Sequence, residues 1–329
     1  MVNKLQIKFT ICKLVLIFAL LLEVGGWKLD VAEAQSFDPL TLGVGARSLG
    51  LGGANTAVVF DADTIFANPA GLGEIDHFKL TSMAGNVLED VNYTVIGGTY
   101  PLGQQGAIGI GYAGAFVSGI ELRNNIGNST GRADYGDSVL LASFGKKLNE
   151  DWSVGLGLKY YSSNGTETSA GNRASANLDV GVLQHGLDWL SFGAIGQNLL
   201  AANQPRQFKA GVKMSLLGSD FRAAVTSPIR LDLAYDASFA LSGTRTLTQQ
   251  FGLELSPNNL LTLRCGSDTG NLTAGVSFRC AGLGFHYAYH SFGGYDGNYA
   301  SFFSLSYDEN GWPPERPSDA YLAKRLQGR

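Results

Sequence analysis

The chain has 329 residues, a formal net charge of −4, only 16% charged residues and 44 glycines. Soluble globular domains average about 25% charged residues and about 7% glycine, so the composition speaks against an ordinary soluble enzyme, and the negative balance offers no basic footprint for nucleic acid. Low charge without long apolar runs is what alternating lipid-facing and lumen-facing strands produce.

The first residues read as an address. Lys4, Lys8 and Lys13 give a positive start, Leu14 to Leu22 form an unbroken apolar run, and Ala32-Glu33-Ala34 is a small-x-small site. That order predicts a secretory signal peptide over 1–34, cleaved after Ala34. The run is shorter than the roughly 20 residues a spanning helix needs, which sets the alternative, a retained anchor helix, behind it. Cys12 precedes the apolar run rather than ending it, which speaks against a lipoprotein.

Residues 35–76 do not alternate. They run through Gly43-Val-Gly45-Ala-Arg47-Ser-Leu-Gly50-Leu-Gly52-Gly53-Ala54, then Asp61-Ala-Asp63-Thr-Ile-Phe, then Asn68-Pro69-Ala70-Gly71. A segment this rich in glycine can fold tightly against a wall, and Asn-Pro marks a turn.

From about His77 onward one unit repeats, nine to twelve residues with period-2 alternation and then a turn. Trp152, Val154, Leu156, Leu158 and Tyr160 oppose Ser153, Gly155, Gly157 and Lys159; Ile229, Leu231, Leu233 and Tyr235 oppose Arg230, Asp232, Ala234 and Asp236. The second face is mostly Gly, Ala, Ser, Thr and Asn with scattered charges, which suits a lumen better than the surface of a soluble sandwich. The runs place strands at 77–86, 91–101, 106–117, 137–148, 151–164, 173–186, 190–200, 206–217, 229–240, 246–256, 260–266, 271–280, 283–291 and 298–307. Fourteen is an even number, as bacterial single-chain barrels require, so the fold expected is an all-β transmembrane antiparallel barrel over 77–307. With the N-terminus in the periplasm, Ser118–Gly136, Thr166–Asn172 and Phe292–Gly297 become the long outward loops, while Gly218–Pro228 is a long inward connection without an explanation. Aromatic residues near strand ends, such as Tyr100, Trp189 and Tyr299, suit interfacial girdles.

Eight-stranded barrels are filled by side chains and sixteen to eighteen strands leave a channel. Fourteen lies between, so an N-terminal plug over 35–76 is the natural filler. One face of strand 106–117, made of Ala107, Gly109, Gly111, Ala113 and Ala115, would let another backbone approach. Residues 308–329 follow as a periplasmic tail, in which Ser318 caps a short helix over Asp319–Leu326, serving either as a contact for a periplasmic partner or as a solvated extension.

The motif G-A-R-S-L-G-L-G-G-A, the acidic D-A-D and N-P-A-G-L-G, over about 43–73, resemble the N-terminal signature of the FadL-type outer-membrane superfamily, closest to its PorV/PorQ-like branch. The resemblance implies a fourteen-stranded barrel with an N-terminal hatch in the lumen. The fatty-acid transporters of that superfamily move hydrophobic molecules, and PorV-like members serve type IX secretion at the cell surface.

Chemistry is sparse. Gly109-Ile-Gly111-Tyr-Ala-Gly114 matches a dinucleotide pattern, but no helix or βαβ unit surrounds it. His286 and His290 share the lumen phase, yet lie roughly 13 Å apart along a strand, too far for one metal. Neither a zinc-protease motif nor a nucleophile elbow occurs, so no catalytic role, metal or cofactor is expected. Cys265 and Cys280 fall in the lipid phase of a hairpin, roughly 20 Å apart, and read as small hydrophobes rather than a disulfide.

Lys159, Asp179, Lys209, Lys213, Arg230, Asp232, Asp236, Glu254, Arg264 and Arg279 project into the lumen on this register. Their mixed signs fit either a latch on the plug, with Arg47, Asp61 and Asp63 as partners, or ordinary solvated lumen charge. The expected function is an outer-membrane protein, in contact with outer-membrane lipid, that passes or binds small hydrophobic molecules. The alternative is a secretion or surface-attachment component that binds secreted proteins or secretion machinery through its outward loops. No nucleic-acid partner is expected.

Overall fold

The computed structural model describes residues 37–58, 61–87, 90–165, 173–187, 189–200, 204–217, 229–241, 246–257, 260–291 and 299–310. The signal peptide, the loops Thr166–Asn172, Gly218–Pro228 and Phe292–Gly297, and the tail helix expected over Asp319–Leu326 lie outside the described residues.

Period-2 alternation becomes strands because each one must show one face to lipid and the other inward. They are β1 (Lys79–Val87), β2 (Val91–Pro101), β3 (Ala107–Arg123), β4 (Ser129–Lys147), β5 (Trp152–Gly165), β6 (Arg173–Leu187) and β7 (Leu190–Gln197). The second half holds β8 (Gln207–Leu217), β9 (Arg230–Ala240), β10 (Thr246–Ser256), β11 (Leu261–Asp268), β12 (Asn271–Cys280), β13 (Leu283–Ser291) and β14 (Tyr299–Asp308). Each pairs antiparallel with its sequence neighbours, and β1 pairs β14 from Lys79↔Asp308 to Asn86↔Ser301, closing the barrel. Closure removes every edge along the shared wall, as hydrocarbon surroundings demand.

The wall is inside-out relative to a soluble protein. On β5, Leu158 is 62% exposed while the next residue, Lys159, is 2% exposed. Cys265 and Cys280 are both free and both on the exposed outer surface.

Several boundaries change. Ser118–Gly136, expected to be a loop, is instead mostly paired: β3 runs to Arg123 and β4 begins at Ser129. The pattern hid this because the ladder is irregular there, with register shifts between Val117 and Ile120 and between Leu122 and Arg123. β2 leaves β3 at Val91↔Val117, and β5 leaves β4 at Tyr135↔Gly165, so among the described residues the hairpin above them pairs only with itself for about 20 Å. The barrel also starts at Lys79 rather than 77 and extends to Asp308 rather than 307. Asp308 points inward and receives Lys79 at 3.1 Å and His77 at 2.8 Å, which carries the closing pair one residue past the expected end.

Residues 37–76 form short turns rather than strands. A first 3-10 turn, Pro39–Leu42, is capped by Asp38, whose carboxylate accepts from the Leu40 N–H at 2.9 Å. Helix α1 covers Ala46–Gly50 and helix α2 covers Thr64–Ala67. A second 3-10 turn, Pro69–Glu74, starts in the same way as the first: Asn68 caps it and proline takes the first position. Gly52 and Gly53, at φ +66° and +80°, carry the chain out of α1 through the left-handed region, with the Gly53 N–H returned to the Ser48 carbonyl at 2.9 Å.

Candidate functional site, the lumen and its N-terminal segment

The segment is seated inside the ring of strands by glycines that face it. An added methyl at Gly97 on β2 would meet the Phe66 ring at 3.0 Å, one at Gly109 on β3 would meet Ile65 at 2.5 Å, and Gly111 beside them also faces Phe66. Gly145 on β4 and Gly155 on β5 lie against the backbone of Pro69. On the opposite side, Gly252 on β10 and Gly266 on β11 lie against Leu51 and Gly52, and Gly275 on β12 lies 3.2 Å from Gly50 Cα by the same measure. At Gly145, Gly155, Gly252, Gly266 and Gly275 strand and segment backbones touch, while Gly97, Gly109 and Gly111 make room for segment side chains, so the small-residue face read from strand 106–117 does admit the segment.

Polar side chains fix the segment at several places. Arg47 holds Glu254 of β10 by two hydrogen bonds, of 2.8 and 2.9 Å, and lies 3.6 Å from Asp61. Such a planar fork is the strongest geometry available to this pair. Asp236 of β9 accepts from the N–H groups of Asn55 and Thr56, both at 2.9 Å, and from the Thr56 hydroxyl at 2.7 Å. Glu74 accepts from Lys147 of β4 at 2.7 Å and from Ser153 of β5 at 2.5 Å, with His185 of β6 at 3.7 Å. Asp38 accepts from the Tyr161 hydroxyl of β5 at 2.9 Å.

The Arg47 anchor continues around the wall. Arg264 of β11 donates to Glu254 at 2.6 Å and to the Ser277 hydroxyl of β12 at 2.5 Å. Ser277 meets His286 Nδ1 of β13 at 2.6 Å, and His286 Nε2 meets Ser306 of β14 at 2.8 Å. One side chain from each of five consecutive strands therefore joins a single polar belt. Arg264 is a donor only, so Ser277 accepts from it, while the direction of the two His286 contacts follows the imidazole tautomer. These contacts place His286, read from the sequence only as one of two lumen histidines, in the same system as Arg47.

Electrostatics of the segment follow from these contacts. Burial alone would lower Arg47, but Glu254 and Asp61 outweigh it and raise its pKa. Burial opposes the Asp61 carboxylate too, yet Arg47 keeps it below its ordinary value. Asp63 is pushed up to about 6 by burial and by the Asp61 charge. Glu74, despite burial, is held at about 2 by His185 and Lys147.

The remaining residues singled out from the sequence separate into groups. Lys159 pairs with Asp179 at 2.7 Å and Lys213 with Asp232 at 3.9 Å, both pairs joining wall strands to each other. Arg279 donates to Thr262 at 3.0 Å. Lys209 and Arg230 are half-buried on β8 and β9. Gly45 precedes α1 with the Asp63 carboxylate against it, and Asn68 donates to the carbonyls of Thr56, at 2.9 Å, and Val182 of β6, at 3.3 Å. Pro69, Ala70 and Gly71 form the buried start of the second 3-10 turn. Three residues with prominent roles were not singled out: Phe66, Glu74 and Asp38. Each sits within two residues of a quoted motif or a proline, the one signal the sequence offered.

The polar belt joins side chains of β10–β14, whereas Met83, Val87, Tyr93, Val95, Ala113, Val139 and Leu141 line the inward face of β1–β4, in an apolar cluster that also takes in Ala288 of β13 and Ala300 and Phe302 of β14. Ile65, Phe66, Leu72 and Val44 of the segment belong to the same apolar cluster, and Leu40 and Leu42 pack against it. A cavity of about 30 Å³ lies beside Arg47, Asp61 and Asp63, room for one or two waters and not for a hydrocarbon.

No protein-family model and no curated protein matches the chain. Solved structures do. The CymD monoaromatic hydrocarbon channel aligns with a TM-score of 0.59 at 12% identity, over 83% of this chain and 99% of that one. The Pseudomonas putida toluene transporter TodX aligns at 0.54 and 10% identity, over 84% and 98%. A FadL homologue of Pseudomonas aeruginosa aligns at 0.51 and 12%, over 79% and 97%. At such identities the likeness is one of fold: this chain is built as those barrels are.

Proposed function

We propose that this protein sits in the bacterial outer membrane and passes small hydrophobic molecules, with residues 37–76 acting as a hatch. The observation that carries the reading is the inward apolar wall of β1–β4, packed against Leu40, Leu42 and Phe66. A water-filled pore has no need of such a wall, since lumens of open barrels are polar. An apolar solute entering the outer mouth would exchange places with the apolar side chains of the segment along this wall. The ion pairs on the other wall would keep the rest of the hatch seated. Two of the barrels with this fold are described as a monoaromatic hydrocarbon channel and a toluene transporter, which agrees with such cargo. The reading assigns no catalysed reaction.

The test is uptake of toluene and of a fluorescent fatty acid by liposomes containing the purified protein. Faster uptake than in protein-free liposomes is expected; equal uptake removes the reading.

A second reading, surface attachment or secretion in the manner of the PorV/PorQ-like branch, is favoured by the free-standing hairpin of β3 and β4. It predicts that deleting 119–133 abolishes co-purification of large secreted proteins while leaving solute uptake unchanged.

A further inference from the structure

The apolar wall contains one hydroxyl that its surroundings do not explain. Tyr93 on β2 is 1% exposed, and its hydroxyl oxygen has no hydrogen-bond partner among the described residues. Its register neighbours are small, Gly85 on β1 and Ala115 on β3. Its ring meets that of Phe302 edge-on, with centroids 6.4 Å apart. A phenylalanine would make the same apolar contacts without burying an unmet polar group, which is costly in such surroundings. Among the described residues, the charge felt at this hydroxyl is that of Asp38, whose carboxylate is already engaged by the Leu40 N–H and the Tyr161 hydroxyl. Tyr93 therefore presents a spare donor beside the turn that bears Leu40 and Leu42.

We propose that Tyr93 is the hydrogen-bonding anchor of a ligand position on this wall, occupied when Leu40 and Leu42 draw back, and that its ligand is a neutral, largely apolar molecule carrying one oxygen, such as a phenol, an aryl alcohol or an aryl ketone. The inference rests on the transport reading above and narrows it. A plain hydrocarbon fits the wall but leaves the hydroxyl unmet. A carboxylate would bring a second negative charge beside Asp38, and the nearest wall amine on β5, Lys159, is committed to Asp179 at 2.7 Å. An uncharged oxygen accepts from Tyr93 without either difficulty.

The experiment compares three probes of one shape, toluene, p-cresol and p-toluate, by titration calorimetry on the detergent-solubilised mature protein and its Tyr93→Phe variant. Removing an unpartnered hydroxyl leaves packing intact, and heat-modifiable migration on gels checks that the variant barrel is folded. The wild type should bind p-cresol roughly five- to tenfold more tightly than toluene, the usual effect of one added hydrogen bond. Tyr93→Phe should erase that preference. A preference that survives Tyr93→Phe overturns the assignment, as does tighter binding of p-toluate than of p-cresol. If toluene and p-cresol bind equally well to the wild type and toluene is still taken up by liposomes, only this inference falls. If neither binds nor enters, the transport reading falls with it.

Discussion

Arg47 of the N-terminal segment and Glu254 of β10 are joined by two parallel hydrogen bonds of 2.8 and 2.9 Å, although 207 residues separate them in the chain. The pair is the junction between the N-terminal segment and the polar belt of β10–β14. Arg47→Met keeps the length of the side chain and removes the fork. Glu254 would retain Arg264, but Asp61 would lose its cation. Removing one partner of a buried pair costs about 3–5 kcal/mol when the other is left alone, so with Arg264 still present we expect ~2 kcal/mol. Amide hydrogen exchange in residues 46–58 should accelerate in this variant with the barrel strands unaffected; unaltered exchange would show that the fork does not hold the hatch.

Phe66 fills the groove that Gly97 and Gly111 leave between β2 and β3. Phe66→Ala empties it without touching the ion pairs. Loss of a buried phenyl costs about 3–5 kcal/mol where the site cannot collapse, and here the emptied space runs along the apolar wall. We expect toluene flux into liposomes to rise several-fold. Conductance of small ions should change much less, because the groove stays apolar. A variant with unchanged flux would place the path elsewhere.

Gly155 lies directly against the Pro69 backbone, so a side chain there has nowhere to go unless the second 3-10 turn shifts. Gly155→Val should leave β5 paired, since valine suits a strand, and still unseat residues 68–74. Limited proteolysis reads this: cleavage near 70 should appear in the variant and not in the wild type. Protection equal to wild type would mean the wall gives way instead.

Two carboxyls of the N-terminal segment should impose opposite pH dependences on its docking. Glu74 is lowered from 4.5 to about 2, so its contribution, on the order of 3 kcal/mol, is complete above pH 4.5 and is lost as pH falls toward 2. Asp63 is raised from 3.8 to about 6, so the docked state binds an extra proton there; its contribution is complete below pH 3.8 and is lost as pH rises through 6. Hydrogen exchange across residues 45–76 at graded pH should show Glu74→Gln flattening the acidic limb and Asp63→Asn flattening the limb between pH 4 and 6. Identical profiles in both variants would remove this account.

Cys265 and Cys280 are exposed on the barrel exterior, facing lipid if the barrel spans a membrane. A membrane-soluble maleimide should label both in intact outer membranes, whereas a charged, impermeant thiol reagent should label neither. Equal labelling by the charged reagent would contradict the lipid-facing register.

Much of the architecture was written in local order. The alternation of Trp152 to Tyr160 against Ser153 to Lys159 fixed which face meets hydrocarbon, because a period of two leaves no other choice once one face is buried. Strands such as Val91–Pro101, Thr246–Ser256, Asn271–Cys280 and Leu283–Ser291 could be bounded to the residue, since turn residues interrupt the pattern sharply on both sides. The protruding hairpin was not legible, because irregular pairing between Val117 and Arg123 breaks the same pattern that marks a strand. Which lumen charges meet the N-terminal segment was also hidden: Glu254 and Asp236 do, while Lys159 and Asp179 pair with each other. Alternation says only that a side chain points inward. The depth at which a glycine-rich segment settles, and hence the company of Arg47, Phe66 and Tyr93, depends on contacts between residues far apart in the chain, and only the closed barrel brings those together.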